Sequence, residues 1–176
     1  LDDNGITLVL YGDVPLISVN TLQFMIDKFQ NNLVMLTDEL SNPSGYGRVV
    51  RDADSKIAAI VEEKDANQEQ KQIKEINTGF YAFPNQRIGE WLNGLSNENA
   101  QGEYYLTDVV ATAYKEGVVV DYVKSPHDYE VMGVNNKLQL EQLERIYQLN
   151  KANQLLESGV TLLDKSRIDL RGSLVA

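Results

Sequence analysis

Apolar residues recur along this chain in two rhythms, and their alternation sets out the expected elements. Ile6 to Leu10 is a continuous apolar or β-branched run that suits a strand buried on both faces of a parallel sheet. After Pro15, Ser18 is a candidate helix N-cap, and Leu22, Met25, Ile26 and Phe29 recur at helical spacing until Asn31-Asn32. Leu33 to Thr37 is a second buried-type strand. Strand, helix and strand at this spacing predict a right-handed βαβ unit, with the first strand central in the sheet.

Further along, Val49 to Arg51 and Lys56 to Val61 predict a hairpin across Asp52-Ala53-Asp54-Ser55. The charged stretch from Asn67 to Glu75 predicts an exposed flap or short helix. Ile76 to Phe83 is a strand in which Asn77 and Thr78 interrupt an apolar run. Such polar side chains need partners when buried, and either backbone or a ligand would serve. Pro84 opens a helix carrying Ile88, Trp91, Leu92 and Leu95, and a second helix buries Leu106, Val109, Val110 and Ala113 up to Gly117. Val118 to Val123 closes the α/β part as a strand. From Asn136, with Gln139 three residues on in capping-box fashion, a long helix runs to about Ser158 with Leu140, Leu143, Ile146 and Tyr147 as its apolar stripe. Gly159 to Leu163 and Ile168 to Gly172 look like short strands that need neighbouring turns to bury them, as in a solenoid.

Composition narrows the chemistry. The 176 residues suffice for one packed domain with an appendage, and no apolar run approaches the roughly 20 residues of a membrane span. There is no cysteine, so disulfides, thiolate metal sites and cysteine nucleophiles are excluded, and the usage fits the cytoplasm. Sixteen basic residues against 26 acidic ones give a net charge of −10, a poor match to a nucleic-acid polymer. His127 is the single histidine, in a polar stretch expected to be an exposed loop. The chain opens Leu1-Asp2-Asp3 and enters a buried-type strand almost at once, as expected of an interior piece of a longer protein.

Candidate chemistry concentrates after the first strand, in Tyr11-Gly12-Asp13-Val14-Pro15. Gly12 allows a sharp turn and Pro15 prevents return to a ladder. Asp13 is thereby expected just beyond a strand's carboxyl end, where α/β sheets bind ligands. A lone carboxylate there suits Mg²⁺, which takes one or two protein carboxylates plus substrate phosphates. Capping of a turn is the plainer role for the same residue. Gly45-Tyr46-Gly47-Arg48 admits a close backbone approach to a ligand or a simple turn.

Seven segments in order resemble the sugar-nucleotide pyrophosphorylases, and most of all the bifunctional bacterial uridyltransferase–acetyltransferases. They are Leu10 to Leu16, Asn42 to Val49, Ile60 to Asp65, Glu75 to Gly79, Asn99 to Asp108, Gly133 to Asn136 and Asp169 to Gly172. The resemblance implies a partial Rossmann-like nucleotidyltransferase domain over residues 1–134, a linker helix over 135–158, and the start of a left-handed parallel β-helix over 159–176. It implies Asp13 and Asn135 as protein ligands of Mg²⁺. It further implies Tyr11, Gly12, Gly47, Glu62 and Asn77 around the N-acetylglucosamine and ribose, with Glu103, Tyr105 and Thr107 supporting the sugar side. No residue is implied as a general acid or base. The implied reaction joins UTP and N-acetylglucosamine-1-phosphate into UDP-N-acetylglucosamine and pyrophosphate. For the parent enzyme the resemblance adds acetyl-CoA and glucosamine-1-phosphate as substrates, a homotrimer, and a place in cell-wall precursor synthesis. The family's amino-terminal glycine-rich triphosphate loop and uracil-contacting segment are not in this sequence, so the isolated chain is expected to be a poor catalyst. The alternatives are another sugar-1-phosphate nucleotidyltransferase, or a non-catalytic assembly fragment.

Overall fold

The structure is a computed structural model that describes residues 4–172 and residue 174. Its contacts divide the chain into two compact units. The first holds the residues up to Gly12 and Ser18–Asp128, and the second Asp13–Ile17 and the residues from Tyr129 onward.

The first unit is built on a six-stranded sheet: β1 (Ile6–Val9), β2 (Leu33–Glu39), β3 (Arg48–Arg51), β4 (Ile57–Val61), β5 (Glu75–Pro84) and β6 (Val120–Lys124). The strand order is β4-β3-β5-β2-β6, with β1 also paired to β5. Only the β2–β6 pair is parallel; every other pair is antiparallel. This corrects the expected parallel sheet. β1 and β2 do run in the same direction, but the antiparallel β5 is inserted between them. β1 pairs with β5 alone among the described strands and is half-buried, not buried on both faces. A local reading of strand, helix and strand could not foresee a partner more than seventy residues away in sequence.

Three helices belong to this unit: α1 (Val19–Lys28), α2 (Asn85–Asn93) and α3 (Asp108–Lys115). Ser18 caps α1 as expected, its Oγ accepting from the Thr21 N–H at 3.1 Å. The helix buries Thr21 and Met25, whereas Ile26 from the expected stripe is exposed. Ile88 and Trp91 of α2 and Val109, Val110 and Ala113 of α3 pack with Leu33, Met35, Tyr81 and Phe83 from the sheet into one apolar cluster. Tyr81 stacks on Phe83 with ring centroids 5.3 Å apart, and Trp91 meets Phe83 edge-on at 6.5 Å. In the β3–β4 hairpin, Asp52 accepts from the N–H groups of Asp54 and Lys56, a turn its short carboxylate can hold.

β5 carries the decisive irregularity. Met35 lies opposite Tyr81, and Thr37 lies opposite Asn77, so three residues of β5 face one of β2. Gly79, at the middle of this bulge, has φ +83°, a conformation that glycine adopts without strain. The bulge removes ladder partners, and the embedded polar residues replace them. Asn77 Oδ1 accepts from the Gly79 N–H at 3.1 Å, and the Thr78 hydroxyl donates to the Leu36 carbonyl at 2.7 Å. The question of who partners Asn77 and Thr78 is thus answered in part by backbone.

In the second unit, α4 (Lys137–Glu157) is capped by Asn136, whose Oδ1 accepts from the Gln139 N–H at 2.9 Å. Gln139 returns to the Asn135 N–H at 2.7 Å, one residue before the expected capping-box position. The helix buries Leu143, Gln148 and Ala152, while Leu140 and Tyr147 of the expected stripe are largely exposed. The strands expected at Gly159–Leu163 and Ile168–Gly172, and with them the opening of a β-helix, do not form among the described residues; a 3-10 turn spans Lys165–Arg167 instead. Among the described residues no neighbouring strand supplies ladder bonds there. The buried Gln148 amide substitutes for one, donating to the Leu170 carbonyl at 3.1 Å and accepting from its N–H at 2.7 Å. Arg145–Asp169 and Arg171–Glu144 ion pairs at 3.0 and 2.9 Å flank it.

Two stability predictions follow from β2 and β5. Thr78→Val keeps the shape but leaves the Leu36 carbonyl without its hydroxyl donor, so chemical denaturation should register a loss of about 1–3 kcal/mol. Asp38 on β2 is buried, its Oδ2 has no hydrogen-bond partner among the described residues, and burial raises its pKa above the ordinary 3.8, with Asp128 adding repulsion. A raised folded-state pKa means that its contribution is fully present below the unfolded value and is lost as pH rises through the folded one. Asp38→Asn should therefore gain stability relative to the wild type as pH is raised from about 4, measured as a widening difference in melting temperature. A constant difference across pH would contradict this.

Candidate functional site

Five of the sequence-identified residues of the first unit, Tyr11, Gly47, Glu62, Asn77 and Thr107, meet around the bulge and the ends of β3 and β4. Gly47 stands just before β3, and its carbonyl accepts from the Asn77 N–H at 2.9 Å. A Cβ at position 47 would lie 2.9 Å from Ile60 Cγ2 and 3.2 and 3.3 Å from the two Glu62 carboxylate oxygens. Glycine at 47 is therefore what allows the Glu62 carboxylate to lie against the backbone. The neighbouring Arg48 is buried and turns inward, donating to the Tyr46 carbonyl and to Glu63, so it fixes the turn.

Thr107 precedes α3 at the position where threonine commonly caps a helix. Its hydroxyl does not cap; it donates to Glu62 Oε1 at 3.1 Å. Burial raises the Glu62 pKa, the Thr107 hydrogen bond opposes the rise, and the Asp65 and Asp108 carboxylates add to it. Asp108 is itself raised by burial and by Asp65. Such a carboxylate-rich surface suits hydroxyl donors or cations; it repels bare phosphate. Tyr105 shares with Glu62 a cleft of about 240 Å³ that Asp65, Asn99 and Asp108 also line. The Tyr105 hydroxyl accepts from Gln101 Nε2 at 2.8 Å. Glu103 is exposed, its backbone held by Asn99 on both sides, and no hydrogen bond joins its side chain to Glu62 among the described residues.

Tyr11, half-exposed, lies directly over Gly79: a Cβ on Gly79 would fall 2.2 Å from its ring. Gly79 was not singled out as a site residue in the sequence, although an interior strand glycine is itself a signal of a bulge or a close approach. Tyr81 was missed as well. Its hydroxyl donates to Asn77 Oδ1 at 2.8 Å, and burial holds its pKa well above the ordinary phenol value. Gly12 has open space around its Cα and no left-handed backbone, so neither sterics nor backbone strain demands glycine there.

The remaining pair lies in the second unit. Asp13 and Asn135, both exposed, border Gly133: the position of a Gly133 Cβ is 3.5 Å from Asp13 Oδ2 and 3.8 Å from Asn135 Nδ2. The Val134 N–H donates to the Asp13 carbonyl at 2.8 Å, and Gln139 holds the Asn135 N–H. A helix-capping side chain thus holds the backbone of Asn135, and a backbone bond holds that of Asp13. Among the described residues no cluster of three or more His, Cys, Asp or Glu side chains could hold a metal ion. Asp13 and Asn135 offer one carboxylate and one amide oxygen, which fits Mg²⁺ only where substrate and water complete its shell.

Comparison with known proteins bears on the family of the chain. The family model for nucleotidyl transferases matches residues 1–129. The chain is 54% identical to the bifunctional protein GlmU of Nitrosomonas europaea, over 99% of this chain and 39% of that protein. It is 55% identical to the bifunctional protein GlmU of Chromobacterium violaceum, over 99% of this chain and 38% of that protein. The chain therefore spans about two fifths of the length of the curated relatives it matches. A crystal structure described as a glucose-1-phosphate thymidylyltransferase from Bacillus anthracis superposes with a TM-score of 0.56 at 18% identity, covering 93% of this chain and 58% of that one. That likeness is one of fold. With a family match over nearly three quarters of its length and a mixed sheet of the same architecture, the chain belongs to the nucleotidyl transferase family.

Proposed function

We propose that this chain supplies the sugar-binding and metal-binding residues of an N-acetylglucosamine-1-phosphate uridyltransferase. The observation that carries the proposal is the convergence of Gly47, Glu62, Asn77 and Thr107, which leaves a carboxylate oxygen and an amide N–H₂ as groups for a polyhydroxyl ligand. Tyr11 and Gly12 border that pocket, and Tyr105 and Glu103 extend its sugar side. The identity to GlmU proteins supports UTP and N-acetylglucosamine-1-phosphate as substrates and UDP-N-acetylglucosamine as product.

Asp13 and Asn135 would hold Mg²⁺, which when bound neutralises phosphate charge. The sugar-phosphate nucleophile is already anionic, so the side chains need only bind and align it with the α-phosphorus of UTP. Pyrophosphate then leaves without a general base. This accounts for a site rich in oriented oxygens and poor in titratable nucleophiles. Acetyl-CoA, glucosamine-1-phosphate, the homotrimer and the role in peptidoglycan and lipopolysaccharide precursor synthesis belong to the same proposal at the level of the longer relatives, as does a cytoplasmic location. No helix among the described residues is long and apolar enough to cross a membrane. The domain organisation proposed for such a protein is a nucleotidyltransferase part over 1–134, a linker helix over 135–158 and an acetyltransferase part from 159.

Three outcomes are expected. Isothermal titration of this chain with UDP-N-acetylglucosamine should give saturable binding, and Glu62→Gln should weaken it roughly 10–100-fold by removing a charged acceptor. Unchanged affinity would remove Glu62 from the site. Because the Glu62 pKa is raised above the ordinary 4.5, affinity should fall on acidification with a midpoint above that value, and this titration should vanish in Glu62→Gln. A midpoint at or below 4.5 would refute it. Asp13→Ala should abolish Mg²⁺ binding measured by titration calorimetry in the presence of UDP-N-acetylglucosamine, and leave the melting temperature within a few degrees of wild type. Retained Mg²⁺ binding would exclude Asp13 as a ligand.

A further inference from the structure

Asn77 accepts two inner hydrogen bonds on one atom. The Gly79 backbone N–H reaches its Oδ1 at 3.1 Å and the Tyr81 hydroxyl reaches the same oxygen at 2.8 Å. A backbone N–H can only donate, so the atom facing it must be the amide oxygen, and the side-chain orientation is settled by chemistry. Nδ2 then points away from both donors, and among the described residues it makes no hydrogen bond. It is the free polar atom of a residue that is only 7% exposed.

We propose that Tyr81 is a positioning residue that locks the Asn77 amide so that it presents N–H₂, never C=O, to the ligand. The ligand atom at this point must therefore be an acceptor, such as a hydroxyl, ring or carbonyl oxygen of a sugar. Thr107 does the complementary service for Glu62, occupying Oε1 and leaving Oε2 as an acceptor. One donor and one acceptor of fixed polarity select a polyhydroxyl ligand approached from one direction.

Tyr81 suits the task because it is core as much as site. It is 1% exposed, stacked on Phe83, and part of the apolar cluster beneath α2 and α3. Residues four apart share a face of a strand, and with the bulge at Gly79 between them the Tyr81 hydroxyl reaches Asn77. Its hydroxyl keeps its proton throughout the neutral range, so the lock does not open with pH. This inference rests on the sugar-binding reading of Asn77, and its test separates the two.

The first arm needs no ligand. In ¹⁵N- and ¹³C-labelled chain, the Asn77 side-chain amide is assigned by its loss in Asn77→Asp. Tyr81→Phe should shift the Asn77 Cγ resonance upfield and broaden the amide pair as the side chain gains freedom. An unchanged Asn77 signal overturns the lock, whatever the ligand. The second arm is a double-mutant cycle with UDP-N-acetylglucosamine as the probe. Tyr81→Phe should weaken binding about fivefold, and the same substitution should have no further effect in an Asn77→Ala background. An equal loss in both backgrounds would mean that Tyr81 acts through general packing, and overturns the proposal. Asn77→Asp retains the inner acceptor but offers the ligand an acceptor in place of N–H₂, so its binding should fall at least as far as that of Asn77→Ala. Binding of Asn77→Asp at wild-type strength also overturns the proposal. If the wild-type chain fails to bind UDP-N-acetylglucosamine, the functional reading fails and the resonance arm still decides the lock.

Discussion

The structure of the first unit depends on one backbone constraint, the left-handed Gly79 in the middle of β5. β5 is the strand on which the sheet converges, pairing with β1 and β3 along one edge and β2 along the other. A bulge at that position would ordinarily strand polar backbone groups in the interior, at a cost comparable to a lost hydrogen bond for each. Asn77 and Thr78 meet that cost from within the bulge, by accepting from Gly79 and donating to Leu36. The absence of a side chain on Gly79 also admits the Tyr11 ring, so the end of β1 is fastened to the same point. Architecture and candidate chemistry therefore share residues here: the polar atoms that repair the sheet also fix the polarity of the pocket.

Electrostatics follows the same economy. The chain carries a net charge of −10, and the pocket concentrates that imbalance in Glu62, Asp65 and Asp108. Glu62 and Asp108 are pushed toward protonation by burial and by their acidic neighbours. Such a cluster is unfavourable in isolation, and hydroxyl donors or a cation relieve it. The surface salt bridges elsewhere, such as Lys124–Glu39 and Arg87–Glu116, are exposed pairs of the kind that contribute little to stability.

Much of this was legible in the sequence, for reasons that can be stated residue by residue. Ser18 and Asn136 announced helix starts because capping is a local interaction, and Ile88, Trp91, Val109, Val110 and Ala113 announced a core because helical spacing is local too. Sheet order was not legible. The antiparallel insertion of β5 between β1 and β2 depends on pairing across more than seventy residues, and no periodicity encodes it. The α4 stripe was misjudged because Gln148 is polar yet buried, its amide standing in for a strand in holding Leu170. Strand-like sequence after Gly159 forms no strand because, among the described residues, none pairs with it there. At the site, Asn77 was conspicuous as a polar residue in an apolar strand, whereas Tyr81 was hidden by the same run, since a tyrosine there reads as core.

The double character of Tyr81 bears on how the proposed site, to which no general acid or base is assigned, would work. Where the nucleophile is already ionised, rate depends on holding reacting groups in register, and a small misplacement is costly. Flexible surface side chains hold register poorly. Here the orienting groups are drawn from rigid elements: a phenol clamped by an aromatic stack, a threonine at a helix start, a glycine that brings a carboxylate against backbone. Each removes one rotational choice from a ligand-facing side chain before the ligand arrives. Preorganisation of this kind cannot be separated from folding, because the packing that buries Tyr81 is the packing that aims Asn77. A substitution deep in the core of the first unit would then alter ligand affinity without touching the pocket wall, through the angle at which a single amide is held.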